Sequence, residues 1–204
     1  VPFIKVTQNR VVLEIMRGCI RGCRFCQAGQ LYRPVRERDV EFLKKYAIAM
    51  LENTGHEEIS LSSLSSSDYQ KLPELIDFLI EECSRRKVNI SLPSLRIDAF
   101  SLDVMNKVQD VKKSSLTFAP EAGSQRLRDV INKGLTEEVI LKGASDAFHG
   151  GWNRVKLYFM LGLPTETEED MEGIALLSEK VAETYYDEIP KAERNGRVQV
   201  VASS

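Results

Sequence analysis

The chain has 204 residues, enough for one substantial domain with its own core, and 43% hydrophobic with 28% charged residues is the composition of an ordinary globular protein. A formal net charge of −2 provides no global basic field to draw nucleic acid or an acidic membrane. No apolar run approaches the roughly 20 residues that span a bilayer and no signal-peptide pattern opens the chain, so neither a membrane protein nor a secreted one is expected.

Apolar, β-branched runs alternate with amphipathic segments throughout. The first strand is expected at 11–16. It runs into "RGCIRGCRFCQAG" at 17–29, which holds Cys19, Cys23 and Cys26 among the chain's 4 cysteines. "LYRPVRERD" follows and places Arg33, Arg36 and Arg38 just beyond the thiols. These three read either as a phosphate clamp or, better, as a solvated run leading into a helix capped by Asp39.

That helix, 39–53, puts Val40, Leu43, Ala47, Met50 and Leu51 on one face and stops before Gly55. A strand at 58–62 leads into a serine-rich loop containing Ser63, Ser65, Ser66 and Ser67. Leu72, Leu75, Ile76, Leu79, Ile80 and Cys83 make the apolar stripe of the next helix. Its basic end, "RRK" at 85–87, needs no function beyond favouring the helix C-terminus.

A third strand at 88–92 is followed by "PSLRID", where Arg96 is the one strongly basic group. Ser101 is placed to cap a short helix, with Phe100 and Met105 as a hydrophobic staple. A fourth strand at 114–119 ends in "APEAG", which carries Glu121. Two helices are expected next, one capped by Ser124 and one by Thr136. The fifth strand, 155–161, ends in "GLPTE" with Gly162, before a helix that opens on Thr167 with Asp170 as a near-match to a capping box. A sixth strand is expected at 197–201.

Six strands alternating with helices imply right-handed βαβ units and a parallel α/β sheet. A full eight-stranded barrel needs about 250 residues, so an open, partial (β/α)6 TIM-like barrel is the favoured fold, with a doubly wound sheet as the alternative. In either, the working face lies at the carboxyl ends of the strands. The cysteine loop, the serines, Arg96, Glu121 and Gly162 all fall there.

Cys19, Cys23 and Cys26 are spaced C-x3-C-x2-C, and Gly18 and Gly22 give the loop freedom to fold thiolates around one object. Closely spaced thiols with no secretory signal predict a reducing, cytoplasmic setting, where they bind metal rather than pair. Zinc wants four ligands, and His56 and His149 are remote in sequence and better explained as loop or helix-end residues. Cys83 belongs to an apolar helix stripe and reads as core. Three thiolates suit a 4Fe–4S cluster with one iron lacking a protein ligand. All three are expected to face a shared pocket at the carboxyl rim, with Cys83 buried elsewhere.

"CIRGCRFC" just past a first strand resembles the radical S-adenosylmethionine (SAM) superfamily, whose signature is C-x3-C-x-aromatic-C with Phe25 at the aromatic place. More narrowly, "LEIMRGCIRGCRFCQAG", "SLSSLSSSDY", "LTFAPEAGSQRLRDVINKG" and "KLYFMLGLPTETEED" resemble uncharacterised multidomain radical SAM proteins. In those, the core is often fused to a cobalamin-binding-like region. The same blocks are distantly similar to the methylthiotransferases.

The resemblance implies that residues 1–204 are one radical SAM core domain, excised from a longer chain. It implies an enzyme in which Cys19, Cys23 and Cys26 hold a 4Fe–4S cluster. The open iron chelates SAM, and reductive cleavage yields a 5′-deoxyadenosyl radical that takes hydrogen from a substrate. It further implies SAM contacts from Phe25, Ser63, Ser65, Arg96, Glu121 and Gly162, with Phe25 shielding the cluster and Glu121 near the ribose. In many relatives a Gly-Gly-Glu stretch occupies the place of the serine loop; this chain has no such glutamate. An electron donor such as flavodoxin or ferredoxin is implied as a partner, and an RNA or protein substrate by analogy. Methylation with cobalamin, or methylthiolation, would need a domain outside this chain. The alternative is a non-catalytic or electron-transfer iron–sulfur protein on the same fold.

Overall fold

The structure is a computed structural model and describes residues 4, 6–91 and 116–204. Arg96 and the Ser101 helix with its Phe100–Met105 staple lie outside the described residues. The described chain divides into two units, residues up to 20 with 28–91, and residues 21–27 with 116–204.

In the first unit, β1 (Val11–Glu14) pairs in parallel with β4 (Glu58–Ser62), and β4 with β5 (Asn89–Ser91). The expected strand 11–16 is shorter. After β1 the chain turns through the fully buried Ile15, whose N–H donates to the Ser62 carbonyl at 3.0 Å. β2 (Met16–Arg17) then forms a small antiparallel ribbon with β3 (Arg36–Glu37), and a single helical turn, α1 (Ala28–Leu31), lies between them. No two-residue ribbon or four-residue helix has enough periods to show in a hydrophobic pattern.

Two long helices cover this sheet. α2 (Val40–Thr54) starts where Asp39 accepts the Phe42 N–H at 3.0 Å and ends on Gly55 at φ 65. α3 (Leu72–Arg86) ends with Lys87 in the left-handed region and Arg85 and Arg86 in its last turn. Leu43, Ala47, Leu75, Ile76, Leu79 and Cys83 meet Leu13, Ile59 and Leu61 in one core. Each buried Leu or Ile contributes about 1.5–3 kcal/mol.

In the second unit, β6 (Leu116–Glu121), β7 (Arg154–Phe159) and β8 (Gln199–Ser203) run parallel in that order. Burial alternates along β6 and β7 with the period of two expected of strands with one covered face. The connection after β6 is double, as the two cap residues predict. α4 (Gln125–Val130) is capped by Ser124 accepting the Leu127 N–H, and α5 (Glu137–His149) by Thr136 accepting the Val139 N–H. α6 (Glu168–Glu188) opens with the anticipated capping box of Thr167 and Asp170. α5 and α6 pack together, with Phe148 and Tyr185 in edge contact at 5.2 Å between centroids. Among the described residues no helix is long and apolar enough to cross a membrane.

Candidate metal and cofactor site

The second unit gathers several of the residues singled out by sequence. Stretch 21–27, with Cys23, Phe25 and Cys26, is clamped onto the end of α4. The Arg24 N–H donates to the Ile131 carbonyl at 2.9 Å, and its guanidinium to the Val130 carbonyl. The Asn132 side-chain amide donates to the Gly22 carbonyl at 2.8 Å. A Cβ on residue 22 would stand 3.2 Å from that amide nitrogen, so glycine gives this approach its room. The Cys26 N–H closes a turn on the Cys23 carbonyl at 3.1 Å.

Below the clamp, Lys133 is buried and its ammonium donates to the Glu121 carboxylate at 3.0 Å. The same ammonium stands 5.7 Å from the centroid of the Phe25 ring. Phe25 and Glu121 are thus joined through a lysine that the sequence reading passed over. Glu121 ends β6 at a register shift with φ 69, in the left-handed region, and its carbonyl accepts the Met160 N–H at 2.8 Å. Phe25 itself is exposed.

Arg128 was also missed. Its buried guanidinium donates to the carbonyls of Leu135, Ala122 and Gly123 at 3.1, 3.0 and 2.8 Å, and to the Gln125 side chain. It pins the "APEAG" loop to the turn after α4. Gly123 packs directly on α6, where an added Cβ would lie 2.2 Å from the Ile174 nitrogen. Glycine is there for packing. The only sequence trace of either feature is a charged residue inside a short apolar helix pattern.

Asp170, also buried, accepts hydrogen bonds from Arg126, Ser124 and the Thr167 N–H. The Arg126 guanidinium, and after it the Ser124 hydroxyl, hold its carboxyl far below the usual carboxylate range. Gly162 has φ 77 and open space where a Cβ would be, and its N–H donates to the Glu166 carboxylate at 2.6 Å. A groove of about 370 Å³ lies at the end of β7 beside α6 and β8, with Phe159, Leu161, Met171 and Ile174 in its wall; none of the sequence-predicted site residues lines it.

In the first unit, Gly18 has φ 86, and a Cβ there would approach the Tyr32 carbonyl oxygen to 2.5 Å, so the residue before Cys19 must be glycine. The serine loop is half satisfied. Ser63 and Ser66 hydroxyls are 3.1 Å apart, whereas the fully buried Ser65 hydroxyl has no hydrogen-bond partner among the described residues. The arginines after the thiols are committed locally. Arg33 donates to the Gly29 carbonyl at 2.8 Å, Arg38 to Glu14 at 2.8 Å, and Arg36 belongs to β3. Arg17 and Arg38 together lower the Glu14 carboxyl to about 2.

The donor set fits an iron–sulfur cluster in kind. Cys19, Cys23 and Cys26 form no disulfide, Cys23 being buried and the other two half-buried. Cys83 is also free, yet it lies in the core, and burial pushes its thiol up to about 11. Among the described residues no three His, Cys, Asp or Glu side chains already stand where they could hold a metal ion. Cys19 belongs to the first unit, and Cys23 and Cys26 to the second. For SAM, the orphaned Ser65 hydroxyl is a buried group that a polar ligand would satisfy.

The radical SAM superfamily profile matches residues 13–177. An uncharacterised protein of Methanocaldococcus jannaschii is 41% identical over 170 residues, covering 83% of this chain and 37% of its own. The threonylcarbamoyladenosine tRNA methylthiotransferase MtaB of Aquifex aeolicus is 22% identical over 91% of this chain and 46% of its own. The cobalamin-dependent S-adenosylmethionine radical enzyme OxsB, solved with aqua-cobalamin and S-adenosylmethionine bound, shares the fold. Its TM-score is 0.65 at 17% identity, over 82% of this chain and 26% of OxsB. The chain thus spans less than half the length of these curated relatives. The parallel α/β sheets of both units, the spacing of the cysteines and the profile agree: this chain belongs to the radical SAM superfamily, whose members are enzymes that use a 4Fe–4S cluster and SAM.

Proposed function

We propose that this chain is the core of a radical SAM enzyme in which Cys19, Cys23 and Cys26 ligate three irons of a 4Fe–4S cluster and leave the fourth to SAM. The observation that carries this reading is the thiol trio itself, in a family-matched segment whose backbone is fixed by Gly18 at one end and by the clamp on α4 at the other. When bound, the cluster supplies one electron to SAM, whose cleavage releases a 5′-deoxyadenosyl radical for hydrogen abstraction. Phe25 covers the thiols, Glu121 accepts hydroxyl hydrogen bonds from the ribose, and Ser65 satisfies its hydroxyl on the SAM amino acid portion, with Ser63 beside it. Arg96 meets a carboxylate, and Gly162 leaves backbone room after β7.

The electron comes from a carrier such as flavodoxin or ferredoxin. Substrate and product belong to the longer protein, where a cobalamin-binding domain would support methylation and an RNA or protein would be the acceptor. The test is anaerobic reconstitution of the full-length protein, followed by dithionite and SAM. Release of 5′-deoxyadenosine is expected. A chain that takes up four irons and never cleaves SAM would overturn this reading in favour of an electron-transfer iron–sulfur protein. Retained zinc with no iron uptake would overturn both.

A further inference from the structure

Lys133 is placed where three separate parts of the second unit meet. Its backbone N–H donates to the Arg128 carbonyl at 2.9 Å, in the turn that also receives Arg24 and supplies Asn132 to Gly22. Its ammonium reaches the Glu121 carboxylate at 3.0 Å and faces the Phe25 ring at 5.7 Å. Only 9% of its side chain and 17% of that of Glu121 are exposed. A buried ion pair gains little stability over an apolar pair of similar volume, so stability alone does not call for a charge here. What the charge supplies is orientation. Glu121 sits at a positive φ that a non-glycine residue holds only when its surroundings fix it, and the Met160 N–H and Lys133 fix both its ends.

Resting on the cluster-and-SAM reading above, we propose that Lys133 is a positioning residue that ties the thiol-bearing stretch to the Glu121 carboxylate. Through this tie the acid is held at the height where it accepts the ribose hydroxyls of SAM. The lysine acts through Glu121 and Phe25 and bonds neither iron nor the reacting carbon.

The full-length, anaerobically reconstituted protein tests this with Lys133→Met, Lys133→Arg and, as a charge control on an exposed helix position, Lys142→Met. Iron and sulfide per chain, SAM affinity, and the change in the reduced cluster's paramagnetic resonance on adding SAM are measured for each. Lys133→Met is expected to load the same iron as the parent, to bind SAM about tenfold more weakly and to show a diminished SAM-induced spectral change; a lost charge-assisted hydrogen bond has about that effect. Lys133→Arg, which keeps cation and donor, should recover affinity to within about threefold. Parent-like SAM affinity and spectrum in a fully loaded Lys133→Met overturns the proposal and leaves the cluster reading intact. A parent that holds no cluster overturns both. Should Lys133→Met fail to fold, Glu121→Gln carries the test, because it keeps an acceptor for the lysine; parent-like SAM binding by that variant overturns the proposal.

Discussion

The strand-end loops of the two units treat buried polar groups in opposite ways. After β6, nearly every polar group has a partner within its own unit: Arg128 on three carbonyls, Lys133 on Glu121, and Asp170 on Arg126, Ser124 and Thr167. After β4, the Ser65 hydroxyl is buried with none among the described residues. A saturated loop is a rigid platform; a loop with an orphaned hydroxyl holds its hydrogen-bonding capacity for something else. The contrast predicts that changes to the Arg128, Asp170 and Gly123 contacts after β6 act on folding, while changes after β4 act on ligand binding.

The largest effect tests the thiols against both loops. Replacing any one of Cys19, Cys23 and Cys26 by Ala should abolish cluster assembly, read as iron per chain, whereas Cys83→Ala should leave iron uptake unchanged. Loss of iron on Cys83→Ala alone would make the core assignment wrong. Next, Arg128→Met leaves several buried carbonyls unpaired and should destabilise by about 3–5 kcal/mol in denaturant unfolding. A cost under about 1 kcal/mol would show that the platform does not depend on it. Gly123→Ala forces backbone apart from α6 and should cost about 1–3 kcal/mol, again with little effect on SAM affinity once folded.

Acid sharpens the comparison. Asp170 has a folded pKa below its unfolded one, so its contribution is complete above an ordinary carboxylate pKa of about 3.9 and fades as pH falls toward the lower folded value. Parent stability should therefore drop below about pH 4, and Asp170→Asn, already weaker at neutral pH, should drop less steeply. Parallel curves would remove Asp170 from the platform. The smallest stability change belongs to Ser65→Ala. With no partner to lose, it should be neutral or stabilising by up to about 1 kcal/mol, yet weaken SAM binding several-fold in reconstituted protein. Destabilisation without loss of affinity would reverse the assigned contrast.

Much of the architecture was legible because its determinants are local. The 58–62 strand, the Asp39, Ser124 and Thr136 caps and the Thr167–Asp170 box all depend on residues a few positions apart, and all formed. The thiol spacing was legible for the same reason. Lys133 and Arg128 were not: the approach that gives Lys133 meaning joins it to Phe25 across more than a hundred residues of sequence. Arg33 and Arg38 looked available and proved to be held by Gly29 and Glu14. Gly123 and Gly162, similar as letters, differ in three dimensions, one pressed against a helix backbone and the other facing open space.

The hydrogen bonds from Arg24 to Val130 and Ile131 also set a timetable for biosynthesis. A ribosome delivers the stretch with Cys23 and Cys26 early and its docking turn much later, and at 5–20 residues per second that interval is on the order of ten seconds. Until residue 131 has emerged, the stretch with Cys23 and Cys26 lacks this anchor. Iron delivery that preceded that moment would meet an unanchored peptide.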